Sequence, residues 1–119
     1  MSFSRVLTRV VTESDRATGA AVVANDGIVL EEYKTDPSID FSILGAEFCR
    51  TFREIGEKTA SIRRGTPLEI SLLTDQSMII LRKINEEYFL VLVLESDANF
   101  GKGRFMMRKE MEQLINEFK

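Results

Sequence analysis

Few residues in this chain are equipped for chemistry. Its 119 residues include no histidine and a single cysteine, Cys49, so the commonest general base and metal ligand is missing and the thiol has no partner at a metal-binding or catalytic spacing. Histidine-dependent catalysis is excluded, and no metal or cofactor is expected. Cys49 falls on the apolar side of a helical pattern, where a thiol behaves as a small, inert hydrophobe. Carboxylates adjoin at Glu31-Glu32 and Glu86-Glu87, but acid/base work needs a cleft that sets two such groups apart. The first pair lies at a strand end and the second in a hairpin turn, so both read as solvated. Gly101-Lys102-Gly103 has the composition of a phosphate loop without its spacing, which requires GxxxxGK and then Ser or Thr, whereas Lys102 is followed by Gly103 and Arg104. It reads as a flexible strand-to-helix connection in which glycine supplies positive φ. Arg63-Arg64 reads as a helix-end pair favoured by the macrodipole. The expectation is a protein that is not an enzyme.

Composition narrows the class further. With 44% hydrophobic and 29% charged residues, the chain has the makeup of a soluble globular protein, and its length suits one domain spanning 1–119. Sixteen basic against nineteen acidic residues leave a net charge of −3, which argues against a nucleic-acid partner held by counterion release. No apolar run is long enough to span a bilayer, and the first residues, MSFSRVLTRV, lack the continuous apolar core of a signal peptide. A cytoplasmic location is expected, with no membrane insertion.

The elements that would position any site follow from periodicity. Phe3, Val6, Leu7, Val10 and Val11 recur at helical spacing, with Ser2 or Ser4 as the cap. Gly19 to Ala24 and Ile28 to Lys34 form a hairpin about Asn25-Asp26-Gly27. The first strand is apolar on both faces, and the second, with Glu31 and Glu32, belongs nearer an edge. The longest signal spans Ile39 to Arg64. Phe41, Leu44, Phe48, Phe52, Ile55, Thr59 and Ile62 form its apolar stripe. Gly45, Cys49, Gly56 and Ala60 form a flank of small residues that lets a second backbone approach closely. Opposite lie Glu47, Arg50, Arg53, Glu54, Glu57 and Lys58, interrupted by an exposed Ile43. A meander follows, from Leu68 to Leu73, Ser77 to Ile84 and Tyr88 to Glu95. The last strand, apolar from Tyr88 to Leu94, must be covered on both faces and therefore central. An amphipathic helix from Arg104 to Phe118 closes the chain. Met78, Met106, Met107 and Met111 read as core filler.

Taken in order, the apolar strand and hairpin Gly19-Ala20-Ala21-Val22-Val23-Ala24-Asn25-Asp26-Gly27-Ile28-Val29-Leu30, the long helix, and a meander ending in Asp97-Ala98-Asn99-Phe100-Gly101 resemble a known family. The chain is similar to the roadblock family of dynein light chains and bacterial MglB-type regulators of Ras-like GTPases, with Ala98-Asn99-Phe100-Gly101-x-x-Arg104 as the signature that opens the last helix. Gly103 stands where the family carries an apolar residue. The resemblance implies an α+β, three-layer fold in the order αββαβββα: a five-stranded antiparallel sheet with the long helix on one face and the two terminal helices on the other. It implies a homodimer paired through the long helix and third strand, which here draws on Gly45, Cys49, Phe52, Gly56, Ala60, Leu68, Ile70 and Leu72. It further implies a Ras-like small GTPase as partner, regulated or scaffolded by the dimer, for which Ile43, Glu47, Arg50, Arg53 and Glu54 form the docking face. Two other readings are a small-molecule sensing domain of profilin-like or PAS-like architecture, and a motor-complex adaptor without GTPase contact. The sensor reading needs convergent polar groups in a cavity, which the strand Tyr88 to Leu94 does not offer.

Overall fold

The strand Tyr88–Glu95 (β5) organises the molecule because both of its faces are apolar. In the computed structural model, which describes residues 3–118, its side chains alternate between two cores. Leu90, Leu92 and Leu94 pack with Val6, Leu7, Val10 and Leu114 on one face. Phe89, Val91 and Val93 pack with Phe41, Cys49 and Phe52 on the other. At about 1.5–3 kcal/mol for each large apolar side chain fully buried, this one strand anchors both layers.

The element order is α1 (Phe3–Glu13), β1 (Ala17–Ala24), β2 (Val29–Lys34), α2 (Phe41–Ser61), β3 (Glu69–Leu73), β4 (Ser77–Lys83), β5 and α3 (Phe100–Glu117). The sheet runs β2-β1-β5-β4-β3, and every pairing is antiparallel. Thus β5 is central and β2 and β3 are the edges. Helix α2 covers one face, and α1 and α3 cover the other, as expected. The two terminal helices are tied by Arg9, whose Nε donates to Glu110 Oε1 at 3.0 Å and whose Nη2 donates to Gln113 Oε1 at 3.0 Å. Met106 and Met107 are buried, and Met78 and Met111 pack against the same core.

Three local expectations are revised. Helix α2 ends at Ser61 rather than Arg64. Its last carbonyls are closed by Arg63 N–H to Ala60 O at 3.0 Å and Arg64 N–H to Thr59 O at 2.9 Å, with Arg63 in the left-handed region at φ 58°. That is the Schellman arrangement, and it leaves Ile62 65% exposed instead of in the apolar stripe. Second, Gly101-Lys102-Gly103 is helix and not a loop: α3 starts at Phe100, capped by Asn99, whose Oδ1 accepts from Lys102 N–H at 3.1 Å. Gly103 is needed for approach, since a Cβ there would stand 2.9 Å from Leu94 Cδ2 and 3.1 Å from Leu92 Cδ2. An apolar side chain at this position is replaced by the sheet's own leucines. Third, of Asn25-Asp26-Gly27, all residue types that accept positive φ in a hairpin turn, only Gly27, at φ 94°, is in the left-handed region. As for capping α1, Ser2 lies outside the described residues.

Candidate functional site

The long helix lies askew on its sheet. At its N-terminal cap Asp40 Oδ1 accepts from Ser42 N–H at 2.9 Å and from Ile43 N–H at 3.1 Å, and from there the backbone of α2 comes closest to β1 and β2. Small residues permit this. A Cβ on Gly27 would sit 2.7 Å from Ala46 Cα, and one on Gly45 would sit 3.3 Å from both Gly27 O and Val23 Cγ1. Cys49 Sγ donates to Ala24 O at 3.5 Å. The chain's own hairpin therefore occupies the front half of the small-residue flank. Gly45 and Cys49, expected to receive a second copy, are buried within the protomer, and Phe52 is core, packed edge-on to Phe89 at 4.8 Å. Gly56 is half-buried beside Pro67, and Ala60 is exposed.

Because α2 is drawn towards the hairpin, the other end of the sheet is incompletely covered. The register Ile70↔Leu81 and Leu72↔Ile79 sets these four side chains on the α2 face. Between them and Phe48, Thr51 and Ile55 of the helix lies an apolar cleft of about 160 Å³. Its rim is apolar too, with Leu72 46% exposed and Leu68 exposed beside it. Ile70 and Leu72 sit where sequence reasoning placed them, on an open edge. Phe48 and Ile55, read as ordinary core, are half-buried cleft walls. The signal for this was the Thr74-Asp75-Gln76 turn, which dictates that Ile79 opposes Leu72.

On the solvent side of α2, Ile43 is 64% exposed, and Glu47, Arg50 and Glu54 follow at helical spacing on the same face. Glu47 and Arg50 pair with each other. Arg53 diverges: its Nη1 donates to Asn25 O at 2.8 Å, clamping the hairpin. The face thus offers one apolar knob, one self-neutralised ion pair and one acid, Glu54, without an ion pair among the described residues. That suits shape recognition better than delivery of a bare cation.

The remaining chemistry is committed elsewhere. Burial pushes the Cys49 thiol up to about 11, against a smaller opposing pull from Arg53, so it is protonated at neutral pH. A polar hollow of about 330 Å³ at the start of α2 is lined by Asp36, Asp40 and Glu95. There the Asp36 carboxyl is held below its usual value by the hydroxyl and backbone N–H of Ser38, and Asp40 is the helix cap. Glu86 pairs with Lys83 at 2.8 Å, and Glu31 and Glu32 stand exposed on β2. Among the described residues no group of acidic, cysteine or histidine side chains could hold a metal, and no helix is long and apolar enough to cross a membrane.

No protein-family model and no curated protein matches the chain in sequence. Solved structures do match in shape. A Roadblock/LC7 domain from Streptomyces avermitilis superposes with a TM-score of 0.88 at 12% identity, covering 99% of this chain and 98% of that one. MglC from Myxococcus xanthus is 28% identical over 98% of this chain and 99% of its own, with a TM-score of 0.70. The chain folds as a roadblock-type domain. A third structure, an MglB with a tetrameric arrangement, has a TM-score of 0.86 at 18% identity over 94% of this chain and 84% of that one. In this fold the α2/β3 cleft and the solvent side of α2 are both open to a partner.

Proposed function

We infer that the protein is a non-enzymatic interaction module of the cytoplasm that pairs with a second copy through the α2/β3 cleft and binds a Ras-like small GTPase as its regulator or scaffold. The observation that carries this reading is the apolar cleft beside an open strand: an edge with unpaired backbone groups and exposed leucines is a hazard unless another chain covers it. A two-fold extension of the sheet covers it with its own copy. Leu68, Ile70 and Leu72 supply the strand side, and Phe48, Thr51 and Ile55 the helix side, while Gly56 and Ala60 lie on the neighbouring flank of α2. The tetrameric arrangement of a structurally similar MglB supports self-association in this fold. The likeness to MglC, at 28% identity, supports a role beside such regulators.

The paired helices would set two copies of the Ile43, Glu47, Arg50 and Glu54 face side by side, with Arg53 at its margin. An isoleucine knob among mixed charges has the composition of a small anchor with a steering rim. The test is an Ile43→Asp, Arg50→Glu double variant, confirmed folded and self-associated, titrated against a Ras-like GTPase from the same genome in its GTP and GDP forms. Weakened binding in either form is expected, and a loss confined to the GTP form would mark a reader of the active state. Unchanged affinity in both forms would remove this face from the account.

A further inference from the structure

The terminal helix α3 carries a surface that neither the fold nor the pairing above uses. Phe105 is 62% exposed, the one aromatic among the large apolar side chains of the described residues that stand in solvent. It cannot turn inward. Gly103, Met106, Met107, Glu110 and Leu114 occupy the buried side of the helix, and the close seat of Gly103 on Leu92 and Leu94 fixes the helix against the sheet. The ring therefore stays in solvent, and Gly101, one turn before it, adds no side chain beside it.

Three cations frame that ring. Lys102, Arg108 and Lys109 lie three or four residues from Phe105 and so are its neighbours on the helix surface. None of them makes an ion pair among the described residues, whereas Arg9, Arg16, Lys34, Arg50, Arg82, Lys83 and Arg104 all do. Of the acids on this helix, Glu110 is buried against Arg9. Glu112, exposed, lies one turn beyond Arg108 and Lys109 on the side away from Phe105, and Glu117 is half-buried at the end of the helix. The result is a positive island around an aromatic ring on a molecule whose net charge is −3.

We propose that this face of α3, with Phe105 framed by Lys102, Arg108 and Lys109, is a docking surface for an acidic segment of a partner protein. The ring supplies a hydrophobic anchor, and the unpaired cations steer and orient the acidic residues that flank an apolar side chain on the partner. Charge decides between occupants. Recognition of anionic lipid takes a cluster of about four to eight basic residues, and the overall negative charge opposes approach to an acidic bilayer or to nucleic acid.

A fluorescein-labelled, glutamate-rich peptide with one central leucine tests this by anisotropy. Binding to the native protein should weaken as salt rises. It should fall about tenfold or more in Lys102→Glu, Lys109→Glu and about fivefold in Phe105→Ala, with circular dichroism unchanged because all three side chains are exposed. Leu72→Asp, on the other surface, should leave it intact. Equal peptide affinity in native and variant proteins would overturn the proposal. So would capture by phosphatidylserine vesicles in preference to the peptide, or a change in sedimentation mass on Phe105→Ala, which would make a second copy the occupant.

Discussion

The two edges of the sheet face opposite fates. On β2 the register breaks between Val22 and Val23, so Leu30 is an extra residue bulged out of the ladder. Glu31 and Glu32 follow, Lys34 pairs with Glu32 at 3.1 Å, α1 lies against the strand, and the hairpin tip is pinned beneath α2 at Gly27. Every one of these features discourages another strand. On β3, five residues pair with β4 in unbroken register, and Leu72 and Leu73 are exposed. Its one acid, Glu69, is turned to the opposite face, where Arg82 at 3.0 Å and Arg104 at 2.5 Å hold it. One edge is closed by charge, bulge and cover, and the other is left apolar and regular. Self-pairing is therefore expected at β3 alone, and stability and association should respond to different edges.

The largest effect belongs to β3. Leu72→Asp places a charge in the cleft, and we expect about 3 kcal/mol or more of association energy to be lost while monomer stability shifts by about 0.5 kcal/mol. Sedimentation equilibrium and chemical denaturation read the two separately. Next comes the converse at the hairpin. Gly27→Ala meets the backbone of Ala46 at a left-handed position and should cost about 2–3 kcal/mol of stability, with the mass of the folded protein unchanged. Opening the closed edge should have a smaller result. Glu31→Thr, Glu32→Thr should leave the mass unaltered while the bulge remains, and deleting Leu30 as well should bring in species larger than the native assembly.

The smallest effect is a reporter. Cys49, whose pKa is raised from 9.0 to about 11, lies under the hairpin and is neutral in both folded and unfolded chains below the lower value. Between the two values the unfolded chain ionises and the folded one does not. Its contribution to stability is thus present below pH 9 and lost as pH rises towards 11. Thiol-reagent labelling at pH 8 should be slow in the native protein and in Leu72→Asp alike, and faster in Gly27→Ala.

What was legible in the sequence was whatever a single element declares about itself. The unbroken apolar run of Tyr88 to Leu94 marked a central strand, Glu31 and Glu32 marked an edge, and the spacing of Phe41, Phe48 and Phe52 marked a helix lying on a sheet. What was not legible was who meets whom. Gly45 and Cys49 announced a close neighbour, but only the tertiary path shows that Gly27 and Ala24 of the same chain are that neighbour. Gly103 looked like part of a flexible connection because glycine readily takes positive φ, and its purpose, room for Leu92 and Leu94, exists only once the sheet is built. A left-handed position after α2 falls on Arg63, two residues before Gly65, which is left-handed as well, because the last carbonyls are closed by hydrogen bonds that composition does not reveal. The exposed Phe105 and its three free cations gave no periodic signal at all, since one aromatic on a charged face is invisible until the ion pairs elsewhere are assigned.

Concentration-dependent hydrogen exchange compares the two edges most directly. The amides of residues 68–73 should be protected at high protein concentration and lose that protection on dilution or in Leu72→Asp, while those of residues 29–34 exchange at the same rate throughout. Protection that follows concentration at 29–34, or at neither strand, would contradict the account.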